Sequence, residues 1–294
     1  QGLLDLLGEM QVRLVGRQHV VVGRDDGHVG RVHQAQSLLV FAAATGHAVG
    51  EVGALQAGTH GAFTVRATNQ LQVAFAGGSA AFDQPLGDRA LLWNNHEYTD
   101  AVMMFADFDP ATYPTRAQAD VELAGHGGTV VEVRRTGGTW KPVVGSRFNR
   151  RITATTPMRI AGPASTDPRV GTSVQGMLNN CGGGLTPWGT ILTAEENFNQ
   201  YFANNGAVTD PATKAAHARY GLPNGASERG WERHHPRFDL GQNPNEAFRF
   251  GWIVEIDPYD PGSTPVKRTS IGRFKHEAAT CRPTTDGRVA VYSG

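Results

Sequence analysis

The stretch NNCGGGLTPWGTILTAEEN, residues 179–197, combines residue types that bind metal ions. Cys181, one of only two cysteines in the chain, stands directly before three glycines. A thiolate is a soft, strongly donating metal ligand, and glycines let the backbone approach an ion closely. The strand-like run that follows ends on Glu195 and Glu196, which point to opposite faces if the strand continues. One carboxylate can therefore share a site with Cys181.

A structural explanation of the same stretch remains open. Cys181 can be a small buried residue, since free cysteine packs like a small apolar side chain. Glu195 and Glu196 can be solvated carboxylates that open a helix, because negative charge is favourable at a helix N-terminus. Residue types alone do not separate this explanation from a metal site.

A second pair of carboxylates occurs in GWIVEIDPYDPG. Glu255 and Asp257 alternate with apolar residues, so they share one face of the predicted strand. Two carboxylates on one face repel unless a cation lies between them, and hard oxygen ligands suit calcium. The alternative is a surface strand that runs into a turn rich in proline and glycine.

Two His-Glu pairs each follow a predicted strand: His96-Glu97 in NNHEY and His276-Glu277 in FKHEAA. Neither pair is part of the HExxH motif of zinc-protease helices. Each is either a polar junction between strand and loop or part of a site. The glycines after Cys181 are not a phosphate loop, because no Gly-Lys-Ser/Thr follows.

Composition excludes several classes of partner. Lys plus Arg number 27 and Asp plus Glu number 27, so the basic excess expected of a protein that binds nucleic acid or anionic membranes is missing. No apolar run approaches the roughly 20 residues that a membrane helix needs. We therefore expect neither nucleic acid nor membrane as a partner.

Short strands separated by turns predict an all-β fold. The clearest hairpin is GGTVVEVRRTGGTWKPVVG, in which Gly137-Gly138 suits a tight turn. Further strands are predicted at ALLW, WGTILTA, FGWIVEID, KRTSIGRF and GRVAVYSG, and helices at EENFNQYFANNG and PATKAAHARYG. The pattern fits a sandwich, a barrel or a propeller.

Several stretches together resemble the PhoX family of alkaline phosphatases. They are LLWNNHEYTD, FNRRITATTPMRIAGPA, NNCGGGLTPWGTILTAEEN, GWIVEIDPYDP and VKRTSIGRFKHEAA leading to VYSG, and they stand in the family's order. The resemblance covers residues 62–294 and implies the N-terminal part of a β-propeller. Residues 1–61 resemble nothing we recognise, and their sequence predicts a weakly organised segment.

The resemblance implies a cluster of iron and calcium in the channel of the propeller. Its implied metal ligands are Cys181, Glu196, Glu255 and Asp257. Possible lining residues are Glu97, Glu195 and Glu277. The catalytic residues are unknown, because the implied nucleophile is a metal-held oxygen that attacks phosphorus.

The function implied is a calcium- and iron-dependent alkaline phosphatase that hydrolyses small-molecule phosphate monoesters. The family resemblance further implies a monomer, exported by the twin-arginine route to the periplasm or secreted. Family members continue past YSG to an Arg-Pro-Glu-Trp motif that helps to clamp phosphate. We therefore expect the propeller to be incomplete, with several blades missing, and this chain to be an inactive fragment.

Two other functions remain open at this point. One is a non-catalytic propeller module that binds calcium or a partner, with Cys181 merely buried. The other is a calcium-dependent propeller lactonase or esterase, which would contain no iron and would stay active without Cys181. Metal content and the effect of replacing Cys181 distinguish both from the phosphatase.

Overall fold

The computed structural model describes residues 11–14, 20–23, 71–74 and 88–294. This part of the chain is mostly β-sheet with few helices and no closed barrel, which confirms the predicted β-rich class. The predicted segment 1–61 lies outside the described residues apart from two short strands. The strands are β1 (Gln11–Leu14), β2 (Val20–Gly23), β3 (Leu71–Ala74), β4 (Arg89–His96), β5 (Gly127–Thr136), β6 (Thr139–Pro142), β7 (Arg150–Ile152), β8 (Pro157–Ala161), β9 (Ser173–Gln175), β10 (Asn180–Leu185), β11 (Ile191–Glu195), β12 (Ile253–Ile256), β13 (Val266–Arg268), β14 (Thr280–Pro283) and β15 (Val289–Tyr292).

One sheet is an antiparallel meander of β3, β4, β5 and β6, with β7 also paired to β5. The predicted hairpin is confirmed: β5 and β6 are joined by Gly137 and Gly138, whose φ angles are 59° and 85°. Residues with side chains rarely adopt such angles, so two glycines make this turn without strain. The sheet carries β4 toward the site, where the strand ends at His96.

The larger sheet has the order β10-β11-β12-β13-β8-β9. Its first four strands form an antiparallel meander, and only the β13–β8 pair of this sheet is parallel. The strands predicted at WGTILTA, FGWIVEID and KRTSIGRF are β11, β12 and β13. A small hairpin of β14 and β15 lies beside β10, and β15 is the strand predicted at GRVAVYSG.

Helices in the described residues are short: α1 (Ala101–Met104), α2 (Arg116–Gly125) and α3 (Pro211–Arg219). The prediction of α3 is confirmed, and it begins as expected for a helix with proline in its first turn and Asp210 as N-cap. The helix predicted at EENFNQYFANNG is wrong. That stretch forms two 3₁₀ turns, Phe198–Tyr201 and Asn205–Ala207, because its aromatic side chains are drawn into the core.

The main hydrophobic core lies between the larger sheet and the irregular segments after β11. Its largest members are buried aromatic side chains: Trp93, Phe198, Tyr201, Phe202, Trp231, Phe238 and Phe250. Their rings meet at tilted or edge-on angles, which aromatic pairs prefer. Among the described helices, none has the length and apolar character needed to cross a membrane.

Candidate metal centre

The pairing of β10 with β11 places Cys181 next to Glu196. Asn180 is opposite Glu195, and the register then shifts before Gly183, so the strand bulges at Cys181. Just before the bulge, Asn179 has a φ of 53°, a conformation that asparagine tolerates better than most residues. The Asn179 carbonyl accepts a hydrogen bond of 3.0 Å from the Glu196 N–H, which holds the backbone of Glu196 directly after β11.

The end of β4 adds a third side chain, Glu97. The Asn95 side chain, also on β4, donates a hydrogen bond of 2.8 Å to the Cys181 carbonyl. The Asn95 Oδ1 atom accepts from Trp93 Nε1 at 2.7 Å and from Thr193 Oγ1 at 2.6 Å. All four residues are buried, so this network joins the two sheets firmly at the point where Glu97 follows β4.

Glu97, Cys181 and Glu196 each offer one ligand atom, and these three atoms lie within 4.8 Å of one another. Burial raises the pKa of the Cys181 thiol, and the charges of Glu97, Glu196 and Glu277 raise it further. Carboxylates crowd here around a thiol. A cation stabilises such a group because it attracts the carboxylates and, by attracting the thiolate, lowers the pKa of a coordinating thiol. One sulfur and two carboxylate oxygens suit a transition metal. The residues present therefore fit a metal ion.

The glycines after Cys181 have a structural reason as well. A side chain at Gly184 would place its Cβ 2.6 Å from the Ala279 carbonyl oxygen and 3.1 Å from Thr280 Cα. The Gly182 N–H donates a hydrogen bond of 2.6 Å to the carbonyl of Glu277. Close approach of this segment to β10 brings Glu277 near the thiol, although its side chain is exposed and lies outside the group of three.

Glu195 lies on the other side of the strand, in the core. Its side chain is fully buried and forms an ion pair of 2.7 Å with Lys267, which is also fully buried. The carboxylate accepts three more hydrogen bonds, each of 3.1 Å, from the N–H groups of Leu178, Gly251 and Trp252. Burial raises the pKa of Glu195 and lowers that of Lys267 to about 8, whereas the attraction within the pair opposes both changes.

Glu255 and Asp257 are not brought into the group around Cys181. Glu255 lies on β12, where its carboxylate accepts hydrogen bonds from Trp188 Nε1 at 2.7 Å and Thr190 Oγ1 at 2.5 Å and pairs with Arg268 at 2.6 Å. The Asp257 Oδ1 atom accepts from the Tyr259 N–H at 2.8 Å in the turn that follows. Both carboxylates thus have protein partners here.

The histidines of the two His-Glu pairs are held by protein groups. His96 Nε2 lies 2.9 Å from Thr129 Oγ1, and burial lowers the pKa of His96 well below its ordinary value. His276 Nδ1 lies 2.7 Å from Ser293 Oγ.

The two cysteines, Cys181 and Cys281, are both free thiols, so no disulfide removes the sulfur from the site.

Sequence reasoning missed two buried contacts, that of Asn95 with the Cys181 carbonyl and that of Lys267 with Glu195. Their partners are distant in the chain: Cys181 is 86 residues from Asn95, and Glu195 is 72 residues from Lys267. A buried asparagine or lysine carries no local pattern that reveals such a partner. The one available signal was a lysine at the start of the predicted strand KRTSIGRF.

The fold and the three donor side chains define a β-sheet protein with an acidic site that suits a metal ion. The family model described as alkaline phosphatase PhoX matches residues 55–294. The chain is also similar to the solved structure of Pseudomonas fluorescens PhoX in complex with vanadate, a transition state analogue, with 41% identity and a TM-score of 0.68. That match covers 78% of this chain and 39% of the solved PhoX chain. No curated protein matches the chain. The chain belongs to the PhoX family of alkaline phosphatases.

Proposed function

We propose that this chain contributes part of the metal centre of a phosphatase that hydrolyses phosphate monoesters. The observation that carries the proposal is the group of Glu97, Cys181 and Glu196, which comes from three separate segments and converges within 4.8 Å. Membership of the PhoX family supports the reaction class, and the vanadate bound to Pseudomonas fluorescens PhoX supports a phosphate-like substrate.

In this proposal Cys181 supplies a thiolate, and Glu97 and Glu196 supply carboxylate oxygens, to iron. Bound metal would neutralise charge on the phosphoryl oxygens and activate the nucleophile, which is the chemistry of metal-assisted phosphoryl transfer. The protein's own part is to hold these donors in place before substrate arrives. The buried Asn95 network and the Asn179 turn do so, because each fixes the backbone beside a donor.

Calcium is the second proposed metal. Glu255 and Asp257 stay a prediction as its ligands, and Glu277 stays a prediction as a lining residue. Calcium at Glu255 would have to compete with Arg268 or bind beside it, since that guanidinium already pairs with the carboxylate. A calcium content that falls in Glu255→Gln but not in Arg268→Gln would support the prediction. Equal calcium in both would count against it.

We further propose that the antiparallel meanders β3–β6 and β10–β13 are blades of a β-propeller, since four antiparallel strands make one blade.

The chain spans 39% of the solved PhoX chain, so we propose that these 294 residues alone do not turn over substrate. Location in the periplasm or outside the cell, and a monomeric state, are further proposals that follow from the family.

A chimera tests the function. Residues 55–294 would replace the matching part of Pseudomonas fluorescens PhoX, and hydrolysis of p-nitrophenyl phosphate would be measured with and without a chelator. We expect chelator-sensitive hydrolysis and bound iron and calcium, with loss of iron and activity in Cys181→Ala and retention of both in Cys281→Ala. A folded, metal-free chimera would instead favour the non-catalytic module. Hydrolysis of a lactone that survives Cys181→Ala would favour the lactonase.

A further inference from the structure

The buried ion pair of Glu195 and Lys267 contacts the segment before β10 and the segment that leads into β12. Glu195 Oε1 accepts from Lys267 Nζ at 2.7 Å and from the Leu178 N–H at 3.1 Å. Lys267 Nζ also donates to the Arg249 carbonyl at 3.0 Å and lies 3.8 Å from the centre of the Phe250 ring. Four donors converge on the Glu195 carboxylate, which fills its hydrogen-bonding capacity.

Some contacts of Glu195 hold backbone close to the metal donors. Leu178 lies three residues before Cys181, and Glu195 directly precedes Glu196. The Glu195 carbonyl accepts a hydrogen bond of 3.1 Å from the His276 N–H, and Glu277 is the next residue. The side chain and backbone of Glu195 therefore tie together the segments that carry Cys181, Glu196 and Glu277.

We propose that Glu195 and Lys267 are positioning residues of the metal centre, acting through the backbone beside Cys181 and Glu196. The proposal rests on the proposed function, because it assumes that those side chains bind metal. A buried ion pair is often no more stabilising than apolar residues of similar volume. Its four converging hydrogen bonds give it a different use here, which is to fix the donors in one geometry.

The test is the double variant Glu195→Gln/Lys267→Met in the 294-residue chain, with cobalt(II) as the metal probe. Removing both charges together avoids leaving either one buried and unpaired. The readouts are cobalt affinity, the absorption band from thiolate to cobalt, and hydrogen exchange at the amides of Leu178, Gly251 and Trp252. We expect the three amides to lose protection and the affinity to fall by about 10- to 100-fold, the usual effect of losing a group that orients a metal ligand.

The matched control is Arg89→Met/Glu132→Gln, which removes another ion pair of a buried glutamate at the end of β4 away from Glu97. We expect cobalt affinity in this control to equal that of the unaltered chain. Glu195→Asp keeps the charge beside Lys267 but is too short to reach all four donors, so it provides a second variant if the double variant does not fold. We expect an intermediate loss of affinity in Glu195→Asp.

The outcomes separate this inference from the proposed function. A folded double variant, or Glu195→Asp, that binds cobalt as tightly as the unaltered chain would overturn the positioning role. Failure of the unaltered chain to bind cobalt through Cys181 would overturn the metal site and therefore the proposed function. A merely structural role would lower stability and leave the affinity of the folded protein unchanged.

Discussion

Glu195 and Glu196 are adjacent in the chain but lie in opposite electrical surroundings. Glu195 points into the core, where Lys267 and three backbone N–H groups balance its charge. Glu196 lies on the other side, beside the Cys181 thiol and Glu97. Because successive side chains of a strand alternate, one residue step separates a carboxylate matched by protein from a carboxylate in an acid-rich group. The difference shows that two adjacent carboxylates can have different roles, which depend on the groups that surround each one.

The largest expected effect concerns Glu195, whose charge is balanced by Lys267. We expect Lys267→Met to lower the free energy of unfolding by about 3–5 kcal/mol, because it leaves the Glu195 carboxylate buried without its cation. Arg268→Met is the control, since Arg268 also pairs with a glutamate but its side chain is 45% exposed. Its loss should stay within about 1 kcal/mol. Urea denaturation of both variants measures the difference, and equal losses would contradict the account.

The next effect concerns the close approach of β10 to the segment that carries Glu277. We expect Gly184→Ala to lower the free energy of unfolding by about 1–3 kcal/mol, because the new methyl group meets backbone that cannot rotate away. Gly225→Ala is the control, as nothing lies within 4 Å of a Cβ there. Thermal or urea unfolding compares the two. Unchanged stability in Gly184→Ala would show that the two segments are not packed this closely.

The smallest expected effect is a pH dependence of metal binding at the group of Glu97, Cys181 and Glu196. The pKa of the Cys181 thiol is raised above its ordinary value by burial and by nearby carboxylates, so the metal-free thiol is protonated at neutral pH. A metal ion that binds the thiolate must displace this proton. Affinity should therefore rise about tenfold per pH unit and fall as pH decreases.

Cobalt titrations at several pH values measure that slope. Cys181→Ala should show a slope smaller by about one proton, whereas Cys281→Ala should match the unaltered chain. A slope that is the same in all three proteins would mean that no proton leaves Cys181 when metal binds. That result would contradict the claim that Glu196, unlike Glu195, lies beside a metal-binding thiolate.

The β-rich class, most of the strands and α3 follow from local pattern, because alternation, turn glycines and caps act over a few residues. The helix predicted at EENFNQYFANNG failed because aromatic burial, which depends on distant partners, outweighed local propensity. Choosing Glu196 over Glu195 needed family resemblance, since both carboxylates have the same local sequence. Lys267 could not be found as the partner of Glu195, because only the fold brings them together.

Cobalt(II) binding followed through absorption from the Cys181 thiolate tests the central claim most directly. The account predicts that the 294-residue chain develops a thiolate-to-cobalt band that Cys181→Ala abolishes and Cys281→Ala retains. The absence of such a band in the unaltered chain, or an equally strong band in Cys181→Ala, would contradict the claim that Glu97, Cys181 and Glu196 hold a metal ion.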